Sequence, residues 1–324
     1  MVYGYQLSQA VYVVAKLGIA DLLEDGPLTV AELASATETH APSLYRVLRT
    51  LASVGVFTLA PDGRFGLALA GNYLRTEGPD SMRAYAIMHG EPWFRQGWNL
   101  LQSVSSGKAG FHLAHGVGFF EYLAQHPAAS ELFDRAMSGA APQRHRDVVA
   151  THDFSGIKTL VDVGGGNGSL LAAILRANPQ LRGILFDRPH VVAGAARVLA
   201  EAGVADRCRI ESGDFFTTVP KGGDAYVLAT VIHDWDDGRA KVILENCAEA
   251  MGGRDKLLLV ERVIGEESEG STVQLLSDLN MMVLLGGRER TEEEFRELLG
   301  TAGFDLKRII PTPRIFSIIE AAPV

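Results

Sequence analysis

The chain has 324 residues, of which 47% are hydrophobic and 21% charged, an ordinary balance for a globular protein. That length favours a main domain accompanied by a smaller one. A formal net charge of −9 disfavours general binding to nucleic acid, because an acidic protein repels the phosphate backbone.

The two cysteines, Cys208 and Cys247, have neither a C-x-x-C spacing nor a metal-ligand spacing. The first residues lack the basic and apolar pattern of a signal segment, and no stretch is long and apolar enough to suggest a membrane span. The sequence therefore predicts a cytoplasmic enzyme with reduced thiols, no metal and no membrane partner.

Residues 1–95 predict a small helical domain. Apolar residues recur at helical spacing over Gln6–Leu23, and Thr29 and Glu32 have the spacing of a capping box at the start of a second helix. A third helix is predicted over 41–51, and residues 55–67 have the pattern of a β-hairpin. This order is that of a winged helix.

A winged helix suggests two functions. DNA binding would use Arg46 and Arg49 on the third helix, but that helix has few other bases and the chain is acidic. We favour a dimerisation and substrate-lid module, whose apolar first helix packs against a second copy of the chain.

The second predicted domain spans residues 96–324 and begins with a helical segment, 96–152. Aromatic, His and Met side chains are frequent from Ser81 to His152. Most of them suit a helical core, and a minority are expected to line an aromatic substrate pocket. The candidates precede a Gly-rich linker at 105–110 and are Met88, His89 and Trp93.

Residues 159–175 predict a strand, a tight turn and a helix. A β-branched run ends in Gly164-Gly165-Gly166-Asn167-Gly168, and apolar residues at helical spacing follow. Glycines allow the backbone to turn sharply and a ligand to approach, and the helix N-terminus directs free N–H groups at it. This is the pattern of a nucleotide-type site.

The spacing Gly164-x-Gly166-x-Gly168 differs from the G-x-G-x-x-G of dinucleotide sites. Asp162 lies inside the preceding strand, and the next strand ends at Asp187, where a carboxylate can bind ribose hydroxyls. These features favour S-adenosylmethionine, which has a charged amino-acid end and no phosphate.

Downstream, strands and helices alternate, which predicts a doubly wound sheet with helices on both faces. The expected helices include 191–202, 238–251 and 292–302. Ligands of such sheets gather beyond the carboxyl ends of the strands. The third strand ends there with Gly213, Asp214 and Phe215, which we assign to the cofactor: Asp214 to the adenine amino group and Phe215 to a ring face.

The fourth strand ends in His233-Asp234-Trp235, the fifth at Glu261, and Glu289 lies in a loop before the next helix. One histidine and two carboxylates thus converge on the ligand edge, and Trp235 can stack on the cofactor. A neutral imidazole near pKa 6.5 can accept the proton of a hydroxyl that attacks the donor methyl, while carboxylates orient it. We predict His233 as base, with Glu261 and Glu289 orienting it.

The chain resembles the small-molecule O-methyltransferases, of the plant caffeic acid and flavonoid type and the bacterial type that tailors polyketides, phenazines and related antibiotics. The resemblance rests on four motifs: 161–168, Gly213-Asp214-Phe215-Phe216, His233-Asp234-Trp235 and 286–291 (Gly-Gly-Arg-Glu-Arg-Thr). It implies a class I methyltransferase fold, the matching histidine as general base flanked by the two glutamates, a metal-independent homodimer, and S-adenosylhomocysteine as the product of the cofactor.

One position departs from the plant pattern: a lysine four residues before the histidine is Ala229 here. Thr230 beside it is a candidate cofactor contact. The chain is nearer the bacterial group over 278–282, where the candidate substrate contacts are Asp278, Asn280 and Met281.

The leading prediction is O-methylation of a phenolic or enolic natural product by direct displacement at the methyl carbon. One alternative keeps the fold and cofactor for hydroxylation or decarboxylation without methyl transfer, and a milder variant transfers methyl to nitrogen or carbon. A third is a winged-helix regulator that senses a metabolite. The sequence does not identify the substrate or the hydroxyl.

Overall fold

The computed structural model describes residues 2–78, 80–265 and 272–324. The chain divides into two compact units, Met1–Trp98 with Ala114–Gln143, and Asn99–Leu113 with Arg144–Val324. The helical segment 96–152, which the sequence assigns to the second domain, is therefore shared between them. Residues 114–143 belong to the first unit partly because Gly139 packs against the backbone of Ser81, where a Cβ would lie 2.3 Å from the carbonyl oxygen.

The first unit begins with the predicted helices and hairpin. Its elements up to residue 97 are α1 (Gly4–Lys16), α2 (Ile19–Leu22), β1 (Leu28–Thr29), α3 (Val30–Ala36), α4 (Ala41–Ser53), β2 (Phe57–Leu59), β3 (Arg64–Leu67), α5 (Arg83–Gly90) and α6 (Pro92–Gly97). The strands form an antiparallel sheet in the order β1-β3-β2. The capping box of Thr29 and Glu32 is present, and the winged-helix order is confirmed.

The expected single helix over Gln6–Leu23 is wrong. α1 ends at Lys16, and Gly18 adopts a left-handed conformation with φ +68° before α2 begins. Only glycine takes this conformation without steric cost, so it breaks the helix despite the continuous apolar pattern.

Four further helices follow: α7 (Leu100–Ser106), α8 (Gly110–His115), α9 (Phe119–Gln125) and α10 (Pro127–Thr151). The expected linker at 105–110 is shorter than predicted, because α7 continues to Ser106 and ends at a left-handed Gly107. Among the residues described, no helix is both long and apolar enough to cross a bilayer.

The second unit contains a seven-stranded sheet in the order β11-β12-β8-β7-β4-β5-β6. Its elements are β4 (Thr159–Val163), α11 (Ser169–Ala177), β5 (Arg182–Asp187), α12 (Pro189–Val192), α13 (Ala195–Glu201), β6 (Cys208–Ser212), β7 (Ala225–Ala229), α14 (Asp237–Ala250), β8 (Lys256–Glu261), β9 (Val263–Ile264), α15 (Thr272–Leu284), β10 (Arg290–Thr291), α16 (Glu292–Thr301), β11 (Phe304–Pro311) and β12 (Ser317–Pro323). The predicted helix over 191–202 is two helices, α12 and α13, interrupted near Gly194.

Strands β4 to β8 are parallel, while β12 pairs antiparallel with β8 and β11 with β12. The doubly wound sheet is confirmed. Because β4 lies between β5 and β7, the chain order reverses at β4, and the carboxyl ends of these strands form the ligand edge of such a sheet. A buried core of mostly aliphatic side chains around β4, including Leu160, Leu171 and Leu185, supports this edge.

Candidate active site

The glycine turn after β4 has the geometry that its sequence predicts. Gly164, Gly166 and Gly168 all have positive φ, of +70°, +61° and +81°. Gly165 is required for another reason: a Cβ there would lie 2.6 Å from the carboxylate of Asp162. A Cβ on Gly166 would meet nothing within 4 Å, so the space above the turn is open to a ligand.

The two aspartates assigned to the cofactor lie directly at this turn. Asp187 accepts hydrogen bonds from the backbone N–H of Gly166 at 2.9 Å and of Arg188 at 2.7 Å. Asp162 is fully buried, and neither of its oxygens has a hydrogen-bond partner among the described residues. Burial, followed by the charge of Asp187, raises the pKa of Asp162 to about 7. Asp187 thus fixes the turn, and Asp162 is a buried acid beneath it.

The ends of the third and fourth strands meet in an aromatic cluster. Trp235 makes edge contacts with Phe215 and Phe216, at centroid distances of 6.2 and 4.8 Å, and the Arg239 guanidinium lies 4.3 Å from the Trp235 ring. Gly213 is a glycine because a Cβ would lie 2.7 Å from the Phe186 ring.

Two candidates at these strand ends have local backbone roles. Asp214 accepts from the backbone N–H of Phe216 at 2.9 Å. Thr230 has φ +55°, an uncommon conformation for a β-branched residue, at the point where β7 ends. Their contacts with a cofactor stay predictions, as do those of Phe215 and Trp235.

His233 lies in a 3₁₀ turn, Ile232–Asp234, that follows β7. Its Nδ1 is 3.2 and 3.3 Å from the two oxygens of Glu289 and 3.3 Å from Oε2 of Glu261. Its Nε2 lies 3.4 Å from Oδ1 of Asp234. The structure thus brings the three predicted residues together, with both glutamates on the same ring nitrogen.

Glu261 is the last residue of β8 and has no exposed surface. Its Oε1 accepts from the backbone N–H groups of Val231, at 3.0 Å, and Ile232, at 2.8 Å. Glu261 therefore fixes the backbone that leads to His233 as well as facing the imidazole.

Glu289 is held by residues that the sequence analysis missed. Its Oε1 accepts from Ser277 Oγ at 2.7 Å and from Arg262 Nη1 at 3.0 Å. Its backbone N–H donates to Asp278 at 2.9 Å, so one oxygen of this candidate substrate contact positions Glu289. Arg262 follows Glu261 directly, and that adjacency is the sequence signal that could have identified it.

A buried arginine connects the loop that contains Glu289 to the turn that contains His233. Arg290 has no exposed surface and donates to the carbonyls of Ile232, at 3.1 Å, and Trp235, at 2.9 Å, and to Asp237 at 2.7 Å. A Cβ on Gly287 would lie 2.1 Å from the carbonyl oxygen of His233, so only glycine allows this approach. Sequence reasoning treated both residues only as parts of a motif.

The carboxylates change the acidity of the imidazole. Burial lowers the pKa of His233, but the charges of Glu261 and Glu289 outweigh it and raise that pKa to about 9. Burial raises the pKa of Glu261, and it raises that of Asp234 to about 7. Burial alone would raise the pKa of Glu289 as well. The hydrogen bond and charge of His233, together with the charge of Arg262, outweigh burial and lower that pKa overall. The carboxylates thus move the pKa of His233 above the 6.5 that we expected, which favours the imidazolium at neutral pH.

The ligating atoms of His233, Glu261 and Glu289 all lie within 4.8 Å of one another, as in a metal site. The imidazolium and Arg262, which is ion-paired with Glu289 at 3.0 Å, already supply positive charge to these carboxylates. The constellation is therefore consistent with acid–base chemistry.

The remaining substrate candidates lie in two places. Met88, His89 and Trp93 are in the first unit, where the His89 ring packs between Tyr85 and Phe94 and Trp93 stacks on Tyr122. Asn280 and Met281 are partly buried on α15. All five stay predictions.

These features fit S-adenosylmethionine: an open glycine turn at a helix N-terminus, a carboxylate after β5 and an aromatic cluster at the same edge. Together with the acid–base constellation they define a methyltransferase of class I fold. Two family models match the chain, an O-methyltransferase domain over residues 98–305 and an O-methyltransferase dimerisation domain over residues 1–77. The chain belongs to this O-methyltransferase family, whose members are metal-independent, use S-adenosylmethionine and act on small natural products.

The chain is similar to phenazine O-methyltransferase PhzM from Lysobacter antibioticus, with 49% identity over 324 residues covering 100% of this chain and 95% of the relative. It is 35% identical to phenazine-1-carboxylate N-methyltransferase from Pseudomonas aeruginosa, over 99% of this chain and 95% of that one. The solved O-methyltransferase NcsB1 from neocarzinostatin biosynthesis, with S-adenosylmethionine and 2-hydroxy-5-methyl naphthoic acid bound, superposes with a TM-score of 0.84 at 34% identity, covering 98% of this chain and 96% of that one. The predicted family, fold and cofactor are confirmed.

Proposed function

We propose that this methyltransferase acts on a phenolic or enolic hydroxyl of a small aromatic natural product, as a homodimer, with His233 as the base. The observation that carries this proposal is the contact of both glutamates with Nδ1 of His233, at 3.2 and 3.3 Å. In the neutral imidazole, which forms when His233 loses one proton, the remaining proton on Nδ1 points at carboxylate and the Nε2 lone pair can accept the substrate proton.

The raised pKa of His233 suits the removal of a proton from a phenol. Once His233 is neutral, a phenol near pKa 10 loses its proton to this imidazole of pKa about 9 at a cost of about 1 kcal/mol, against about 5 kcal/mol for an unperturbed imidazole; reaching the neutral form at pH 7 costs about 3 kcal/mol. The imidazolium that forms lies against Glu261 and Glu289, which stabilise it. When bound, S-adenosylmethionine supplies the electrophilic methyl group, and alignment by the surrounding residues lowers the barrier further.

The alternative functions considered from the sequence are less well supported. Hydroxylation or decarboxylation without methyl transfer would not need an intact base. The first unit, for which the sequence alone allowed DNA binding, matches a dimerisation domain instead. Phenazines and naphthoates in the names of the relatives favour a fused aromatic substrate.

Transfer to nitrogen is the second candidate, because two relatives are named as an N,N-dimethyltransferase and an N-methyltransferase. An aromatic amine or a ring nitrogen attacks with its own lone pair and needs no proton removed before the attack, so the base cluster favours a hydroxyl acceptor. The test is to incubate the purified protein with S-adenosylmethionine and matched pairs of hydroxy- and amino-substituted fused aromatics. We expect methylated hydroxy product and S-adenosylhomocysteine in equal amounts, and methylation of the amino partners alone would overturn the proposal.

A further inference from the structure

Arg144, on α10, is a cation that the acid–base chemistry does not use. Its guanidinium carbon lies 5.5 Å from the centroid of the Phe316 ring, and the guanidinium of Arg262 lies 4.5 Å from the same centroid. Arg262 is neutralised by Glu289 at 3.0 Å. Two guanidinium groups therefore share one aromatic ring, and one of them has a carboxylate partner.

Within the described part of the chain, no carboxylate reaches ion-pair distance of Arg144, and its buried Nε has no hydrogen-bond acceptor. Burial, reinforced by the charge of Arg262, lowers the pKa of Arg144 to about 10, so the group stays charged at neutral pH. Holding a largely desolvated cation without a counter-ion is unfavourable. A bound anion would remove that cost.

The surroundings of Arg144 belong to the reaction centre. Glu261 and Asp162 are the carboxylates whose charges act on it, one beside the base and the other beneath the glycine turn. Oε1 of Glu261 accepts from the N–H groups of Val231 and Ile232, and its Oε2 lies 3.3 Å from Nδ1 of His233, so both oxygens face groups other than Arg144. Arg144 is therefore within electrostatic reach of a carboxylate from each site, and among the described residues none forms an ion pair with it.

We propose that Arg144 binds a carboxylate of a bound reactant. Two reactants can bring one: the amino-acid end of S-adenosylmethionine, and an aromatic substrate that carries an acid group. A planar guanidinium is suited to either, because it donates two parallel hydrogen bonds to a carboxylate. The second source rests on the proposed function, whereas the first rests only on the cofactor.

The test is calorimetric titration of wild-type protein and Arg144→Gln, without turnover. S-Adenosylhomocysteine is compared with 5′-methylthioadenosine, which keeps the nucleoside and sulfur but lacks the amino-acid end. 1-Hydroxy-2-naphthoate is compared with 1-naphthol in the presence of 5′-methylthioadenosine. The exposed Arg146→Gln on the same helix is the matched control, and Arg144→Lys keeps the charge without the planar fork.

Loss of a charge-assisted hydrogen-bond pair predicts a roughly 10- to 100-fold weaker Kd in Arg144→Gln for one carboxylate ligand, with its carboxylate-free partner unchanged. An effect on S-adenosylhomocysteine alone assigns the site to the cofactor, and an effect on the naphthoate alone assigns it to the substrate. Unchanged affinity for both acids would overturn the proposal, and so would equal loss of 5′-methylthioadenosine binding, which would give Arg144 a role in folding only. Because no methyl is transferred, failure here leaves the proposed function standing.

Discussion

Ser277 Oγ donates a 2.7 Å hydrogen bond to Oε1 of Glu289, the carboxylate oxygen that lies 3.2 Å from Nδ1 of His233. Arg262, which lies between β8 and β9, donates to the same oxygen. A single carboxylate oxygen therefore connects α15, the β9 region and the histidine turn. The orientation of the base depends on residues that need not touch the substrate.

Ser277→Ala should lower kcat by about 10-fold with little change in KM, because it removes one hydrogen bond to a charged carboxylate, worth about 1.5 kcal/mol, and loosens Glu289. Steady-state kinetics on the best hydroxy substrate measure this. Ser105→Ala, at an exposed position on α7, is the control and should leave both constants unchanged. An equal effect of the two substitutions would show that Ser277 does not position Glu289.

Arg262→Gln should move the pH dependence of kcat/KM to higher pH. Removing a cation beside Glu289 lets that carboxylate act more strongly on the imidazolium, so the pKa of His233 rises and less of it is neutral at a given pH. The pH profile of the variant, beside that of the exposed Arg296→Gln, measures the shift. A pH profile that coincides with that of wild type would show that Arg262 does not influence the pKa of His233.

In the wild-type protein, kcat/KM should rise about tenfold per pH unit and level off near the pKa of His233, about 9. The reason is that one proton must leave the pair formed by imidazolium and phenol before methyl transfer. Glu289→Gln takes away a carboxylate that raises this pKa, so its profile should level off at lower pH. A rate that does not change between about pH 6 and pH 9, roughly the range over which the imidazole changes charge, would contradict the role of His233 as the base.

Gly287→Ala should abolish activity, because its Cβ would lie 2.1 Å from the carbonyl oxygen of His233 and force the two loops apart. Gly300→Ala is the matched control: it lies in α16, a Cβ there meets nothing within 4 Å, and the change should stabilise the fold by up to about 1 kcal/mol. Activity assays and thermal unfolding of both variants check this. Normal activity of Gly287→Ala would mean that the loops have another arrangement in solution.

The sequence was sufficient for features that depend on local pattern. The run from Thr159 to Leu175 predicted its strand, turn and helix because glycine conformations and apolar spacing are encoded within a few residues. The approach of His233 to Glu261 was predictable because parallel strands place their carboxyl ends along one edge, and Glu289 was added by the loop motif 286–291.

Features that depend on tertiary packing were not predictable. Arg262 reaches Glu289 because β9 pairs with β10, a two-residue pairing with no sequence signature. The raised pKa of His233 depends on two carboxylates that meet the same nitrogen, which spacing along the chain does not reveal. The return of residues 114–143 to the first unit likewise follows from packing, whereas the break at Gly18 is a local glycine conformation that the continuous apolar pattern does not reveal.

The most direct test of the central claim is the single-turnover rate of methyl transfer by His233→Gln at pH 7, on two phenols that differ in acidity. If His233 is the base, an ordinary phenol should react about 10²- to 10⁴-fold more slowly than with wild type, and an acidic phenol that is already ionised should lose far less. Titration with S-adenosylhomocysteine should show unchanged affinity, which excludes misfolding. A wild-type rate on the ordinary phenol, or the same loss on both phenols, would contradict the account.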